Sequence, residues 1–220
     1  MYKLIFKDIK LLINQFVISI PIGIIMVILF TPRYPSFGYA MGAFAIAWMS
    51  TLIASSFEAK NHSEIIINSL PVLRSEIILA KYISAYVYAI FGLLLVAFAG
   101  LLINISPLPY HLPCLNWQNI AIALISISVL VSIYYPFFYR FYNQIVIILV
   151  NVVLFQVLFF MPSYISDYMQ GHMSEAWVQQ LLQINMHTPW ILPLIGITLA
   201  SLPVVFSYWL TTRVYTARDF

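Results

Sequence analysis

Apolar residues in this chain run in long, nearly unbroken blocks separated by short polar punctuation, with neither the alternation of a half-buried strand nor the one-sided stripe of a soluble helix. A helix crossing the hydrocarbon core of a bilayer needs about 20 mostly apolar residues at roughly 1.5 Å of rise each. Six blocks qualify: Leu11–Phe30, Phe37–Phe57, Tyr82–Ile103, Ile120–Tyr139, Ile145–Met161 and Trp190–Leu210. They predict an all-α integral membrane protein, a single transmembrane domain over residues 1–220. The first block is about twice the length of a signal-peptide apolar region, and FTPRYPS offers no small-residue cleavage site, so that span is expected to be retained.

The stretches between blocks differ in kind. MYKLIFKDIK sets Leu4, Ile5 and Ile9 against Lys3, Lys7 and Lys10, a pattern that suits a short interfacial helix as well as an ordinary basic flank. Ser106–Asn119 carries Pro107, Pro109 and Pro113 and reads as an extended loop. Pro162–Pro189 has no Lys or Arg. Within it, Trp177, Leu181 and Ile184 fall at helical spacing, predicting an external or partly re-entrant amphipathic helix that rests on protein or on the membrane interface.

Composition strengthens the bilayer reading. Hydrophobic residues make up 63% of the 220 and charged residues 8%, against roughly 45–50% apolar usage in soluble domains. The net charge of +3 does not point to nucleic acid, because the basic residues are dispersed. Their placement reports topology instead. Lys3, Lys7, Lys10, Lys60, Arg74, Lys81, Arg140, Arg213 and Arg218 fall on one side of a six-span layout, and Arg33 alone on the other. Positive-inside bias therefore predicts that both termini are cytoplasmic.

Candidate chemistry is sparse. Cys114 is the only cysteine, and His62, His111, His172 and His187 are scattered over loops, so no metal cluster is expected. The chain has no phosphate-binding G-x-x-x-x-G-K-[ST], no H-E-x-x-H and no G-x-S-x-G motif. It is read as a non-enzyme with no catalytic residues. The six spans as drawn contain no Asp, Glu, Lys, Arg or His, so the usual mark of ion-coupled transport is missing and energy is expected to enter from outside the membrane domain. Ser50, Asn151 and Gln156 are the candidate polar residues for a translocation path, although interhelical hydrogen bonding accounts for them as readily. Gly38, Gly42, Ala43 and Ala47 form a small-residue stripe that lets another helix backbone approach, within the chain or from a second copy.

The densest charge lies in Glu58–Lys81, predicted as a cytoplasmic loop of about 24 residues. FEAKNHSEIIINSL suits a helix that Pro71 ends, since proline removes a donor and clashes with the preceding turn. Ser75 is placed to cap a second helix, with Glu76 in its first turn. A bent helical knob follows, which a plain hairpin stabilising two span ends would also explain.

SLPVLRSEIILAKY, Ser69–Tyr82, resembles the segment between the second and third spans of ABC-2 type transporter permeases: Leu70, Pro71, Arg74, Glu76 and Lys81 match in order. The six-span outline and the tail SYWLTTRVYTARDF are similar as well. YYPFFYRFYNQ keeps Pro136, Tyr139, Arg140 and Phe141 of a pattern those permeases carry after the fourth span, but has Tyr142 where glycine is usual. The resemblance implies a permease subunit of a bacterial plasma-membrane exporter, with ATP and Mg bound by a separate ABC ATPase subunit and no cofactor in this chain. It implies a coupling helix between spans two and three, carried by Glu64, Leu70, Pro71, Val72, Arg74 and Glu76. It also implies pairing with a second permease copy in lipid, and an amphipathic or hydrophobic substrate such as a peptide, lipid or drug. The competing readings are a non-transporting membrane receptor or immunity protein that binds a peptide or toxin, and, less favoured for want of paired carboxylates, a lipid-acting enzyme.

Overall fold

A computed structural model of the chain describes residues 16–31, 34, 37–60, 72–105, 115–141 and 144–217. All the regular secondary structure among these residues is helical, with no strand. The helices are α1 (Phe16–Phe30), α2 (Gly38–Lys60), α3 (Arg74–Ile105), α4 (Trp117–Arg140), α5 (Gln144–Gly171), α6 (Ala176–His187) and α7 (Ile191–Thr216). Five of them, α2 to α5 and α7, are long and apolar enough to cross a membrane. The described part of α1 is shorter; residues 11–15 of the first predicted span, like the predicted interfacial helix at residues 1–10, lie outside the described residues.

α2 and α4 form the interior. About 61% of the apolar window of α2 and 56% of that of α4 is buried, against 11% for α7 and 22% for α5. The large side chains left outside, such as Leu94, Phe98, Leu149, Val153, Leu202 and Phe206, are the surface expected of helices whose solvent is lipid. α1 packs antiparallel on α2 through small residues. A Cβ on Gly42 would meet Val27 Cγ2 at 2.6 Å and the Gly23 carbonyl at 2.7 Å, and one on Gly38 would meet Thr31 Cα at 2.8 Å. Ala43 and Ala47 are fully buried beside them. In this chain the stripe is occupied internally, by α1 and by α3, whose Gly92 abuts the Ala43 carbonyl. α7 lies parallel to α4 along its length, from Gly196 against Ile125 to Tyr215 against Tyr139.

Several boundaries differ from those read off the sequence. α2 continues past Phe57 to Lys60 and α3 begins at Arg74, so both helices run beyond their apolar blocks and carry Glu58 and Lys81. Ser75 is not the cap of α3; the Leu73 carbonyl accepts from the Glu76 and Ile77 amides, which starts the helix at Arg74, two residues earlier. α5 runs ten residues beyond Met161, straight through Pro162, because surrounding apolar residues keep the helix continuous where one lost donor is tolerated. α4 starts at Trp117, where the Asn116 side chain accepts from the Asn119 amide at 2.9 Å. α6 spans Ala176–His187; Val178 is its buried residue, while Trp177 and Ile184 are 42% and 41% exposed from the protein.

Candidate functional site

The C-terminal ends of α2, α4 and α7 meet the N-terminal turns of α3 at one end of the bundle, which also carries Lys60, Arg74, Arg140 and Arg213. At its centre Lys81 Nζ lies 3.0 Å from Glu58 Oε2, with both side chains under 10% exposed. Each charge lies one residue outside an apolar span as drawn, on a helix that runs further than its apolar block. Two buried charges are tolerated here because each neutralises the other.

Around this pair the helices are joined by directional bonds. The Tyr135 hydroxyl donates to the Lys81 carbonyl at 3.1 Å, tying α4 to α3. Tyr86 on α3 and Ser128 on α4 share a hydrogen bond of 2.8 Å. The Tyr82 hydroxyl sits 2.6 Å from Ser207 Oγ and 3.1 Å from Thr211 Oγ1, both on α7. Arg74 Nη1 donates to the Thr216 carbonyl at 2.9 Å, covering one of the orphan acceptors that end α7. Tyrosine rings fill the space between, with Tyr82–Tyr135 centroids 4.9 Å apart and Tyr139–Tyr215 5.2 Å. Arg213 is laid over the Trp209 ring at 3.8 Å, on the outer side of the same turn.

The sequence-derived coupling residues divide between this end and the segment leading to it. Val72 packs against the main apolar cluster. Arg74 is bonded to α7 as above, and Glu76 is half-buried in the first turn of α3. Glu64, Leu70 and Pro71 lie outside the described residues. The path candidates do not converge. Asn151 is 4% exposed; its amide donates to the Ile147 carbonyl of its own helix, and the Tyr134 hydroxyl approaches it, yet no hydrogen bond of normal length reaches Oδ1. Gln156, five positions on, faces outward. Ser50 is 1% exposed, with its hydroxyl unpartnered, in the α1–α2 seam.

The residues that sequence reasoning missed are Tyr82, Tyr135, Ser207 and Thr211. A signal was available: Ser207 and Thr211 are four apart on one helical face, with Tyr208 and Tyr215 seven apart beside it. Composition hid it, since tyrosine is abundant throughout.

The profile of the family described as ABC-2 family transporter protein matches residues 3–216. The chain belongs to that family. It is thus a multi-pass membrane permease, the membrane component of an ABC transporter, and its family association is with an ABC ATPase partner. Comparison with curated proteins and with solved structures finds no match. In this permease the charged end brings together the two helices that flank residues 61–71, the stretch in which the predicted knob is centred.

Proposed function

We propose that the permease is one half of an ATP-driven exporter, crossing the membrane six times with both termini cytoplasmic. It works as a pair with a second permease copy, and a separate ATPase subunit binds ATP and Mg. The stretch containing Glu64, Leu70, Pro71, Val72, Arg74 and Glu76 receives the motion of that ATPase. Amphipathic or hydrophobic compounds are the substrate class that suits an interior of apolar and aromatic side chains with few fixed charges.

The observation that carries this reading is the buried Glu58–Lys81 pair. A segment pushed by a partner can move helices only if its two attachment points are stiff. Here the last turn of α2 and the second turn of α3 are clamped to each other directly, so force applied between them enters the bundle rather than fraying a loop. The absence of a phosphate-binding motif in the sequence is consistent with power supplied in trans.

The test is copurification of the permease with its ATPase, followed by ATP hydrolysis and assembly measured for Pro71→Ala and Arg74→Gln. Coupling, read as loss of permease-dependent regulation of hydrolysis, should fall several-fold for Pro71→Ala while assembly persists. Equal loss of both properties would contradict a lever and leave a simple docking loop.

A further inference from the structure

α7 is the most exposed of the long helices, yet its last third is held to α3 by a denser set of polar bonds than any other peripheral element described. The bonds are spread over the first turns of α3 and the last turns of α7. Arg74 reaches the Thr216 carbonyl, the Tyr208 hydroxyl reaches the Ser75 carbonyl at 3.4 Å, and about two turns further along α3 the Tyr82 hydroxyl reaches Ser207 and Thr211. They cover positions 74–82 of α3, about 12 Å of helix at 1.5 Å per residue, and positions 207–216 of α7. The arrangement is antiparallel, so a slip of either helix along its axis breaks all of them together. In lipid such a slip is resisted further, because an unpaired hydroxyl or guanidinium finds no water to replace its partner.

Among the described residues α5 is held by fewer and more scattered polar contacts: the Tyr34 hydroxyl donates to the Asp167 carboxylate at 3.3 Å near the far end of α5, and the Tyr134 hydroxyl of α4 approaches Asn151. Its side-chain contacts with α1 and α2 are ring against ring: Phe159 with Phe30 at 4.8 Å, and Phe155 with Trp48 at 4.2 Å. Ring contacts tolerate sliding, since dispersion is not directional. Trp48 Nε1 and Asn151 Oδ1, a donor on α2 and an acceptor on α5, are both buried without partners.

We infer that the first turns of α3 and the final third of α7 form one rigid unit that moves together during the transport cycle, with Tyr82 as the positioning residue that keeps the two helices in register. This rests on the exporter reading above, since the motion it describes is the one delivered through residues 61–71. Its consequence is that α7, which has no direct connection in sequence to that segment, is displaced in step with α3, while displacement relative to α2 is taken up at α5.

The permease–ATPase complex in lipid nanodiscs tests this by pulsed electron–electron resonance between spin labels, in a Cys114→Ser background that removes the only native thiol. One pair is Ile83→Cys with Leu210→Cys, across α3 and α7. The other is Ser56→Cys with Ile148→Cys, across α2 and α5. With ATP and vanadate added, the first distance should stay fixed while the second shifts. Tyr82→Phe should then release the first pair, so that nucleotide broadens or shifts it. A nucleotide-driven shift of the first pair in the otherwise unaltered protein overturns the rigid unit and leaves the exporter reading intact. A Tyr82→Phe complex whose first distance stays as sharp and as still as before overturns the role given to Tyr82. Failure of nucleotide to move either pair contradicts mechanical drive itself, and the inference falls with it.

Discussion

α5 and α7 are both long, apolar and largely exposed, and both flank α4, yet they are fastened by different physics. α7 is pinned near the charged end by hydroxyl, guanidinium and carbonyl groups at fixed spacing. α5 rests on stacked and edge-on phenylalanines, with Leu154, Leu158 and Phe159 buried. In a bilayer, burying an apolar face against protein gains little over leaving it in lipid, so the two attachments are not interchangeable. Directional bonds specify a register; ring contacts specify only proximity. A transporter needs both kinds, one to carry force without slippage and one to let a helix move.

The largest effect should come from the pair beneath both helices. Removing one charge leaves the other buried alone, so Lys81→Met or Glu58→Gln should destabilise by about 3–5 kcal/mol. Chemical unfolding in detergent would show this, and the double variant Glu58→Gln with Lys81→Met should recover much of the loss. Recovery of nothing would mean that the pair does not act as a unit.

Next, Phe159→Ala removes a buried ring from the α5 seam and should cost about 2 kcal/mol, less than the 3–5 typical of soluble cores because the transfer part is small in lipid. Limited proteolysis should find α5 loosened with α7 still protected. Tyr82→Phe keeps the ring and deletes the hydroxyl, so its cost is expected near 1 kcal/mol, with α7 rather than α5 becoming the accessible helix. Asn151→Leu should be the smallest, within about 0.5 kcal/mol of neutral, because Oδ1 has no partner to lose. A substantial loss there would show that α5 is pinned after all, and the contrast with α7 would disappear.

Helix existence was legible in the sequence because unbroken apolar blocks of span length leave the chain little choice. Where a block is followed by residues that a neighbour can satisfy, the reading fell short. Glu58 and Lys81 could be read as helical, but not as buried partners, because each alone is costly in a bundle interior and only the tertiary pairing removes the cost. Pro162 looked like a terminus because a proline stops most helices in water, whereas here α5 continues to Gly171. In α6 the helical spacing of Trp177, Leu181 and Ile184 was legible, but not that Val178 is the residue buried within the protein while Trp177 stays outside. Of the candidate site, Arg74 and Glu76 could be picked out by charge. Tyr82, Ser207 and Thr211 could not, because hydroxyls separated by 125 residues or more acquire meaning only when two helices are brought side by side.

The central claim is that an ATP-hydrolysing subunit drives the permease through the stretch that joins α2 to α3. A photoreactive amino acid placed at Leu70, with a second placed at Leu202 on the exposed face of α7, measures this in native membranes. The account predicts a crosslinked adduct between Leu70 and an ATP-binding protein, its yield altered by ATP with vanadate, and only lipid adducts from Leu202. An adduct pattern at Leu70 that contains lipid or solvent products alone, unchanged by nucleotide, would contradict it.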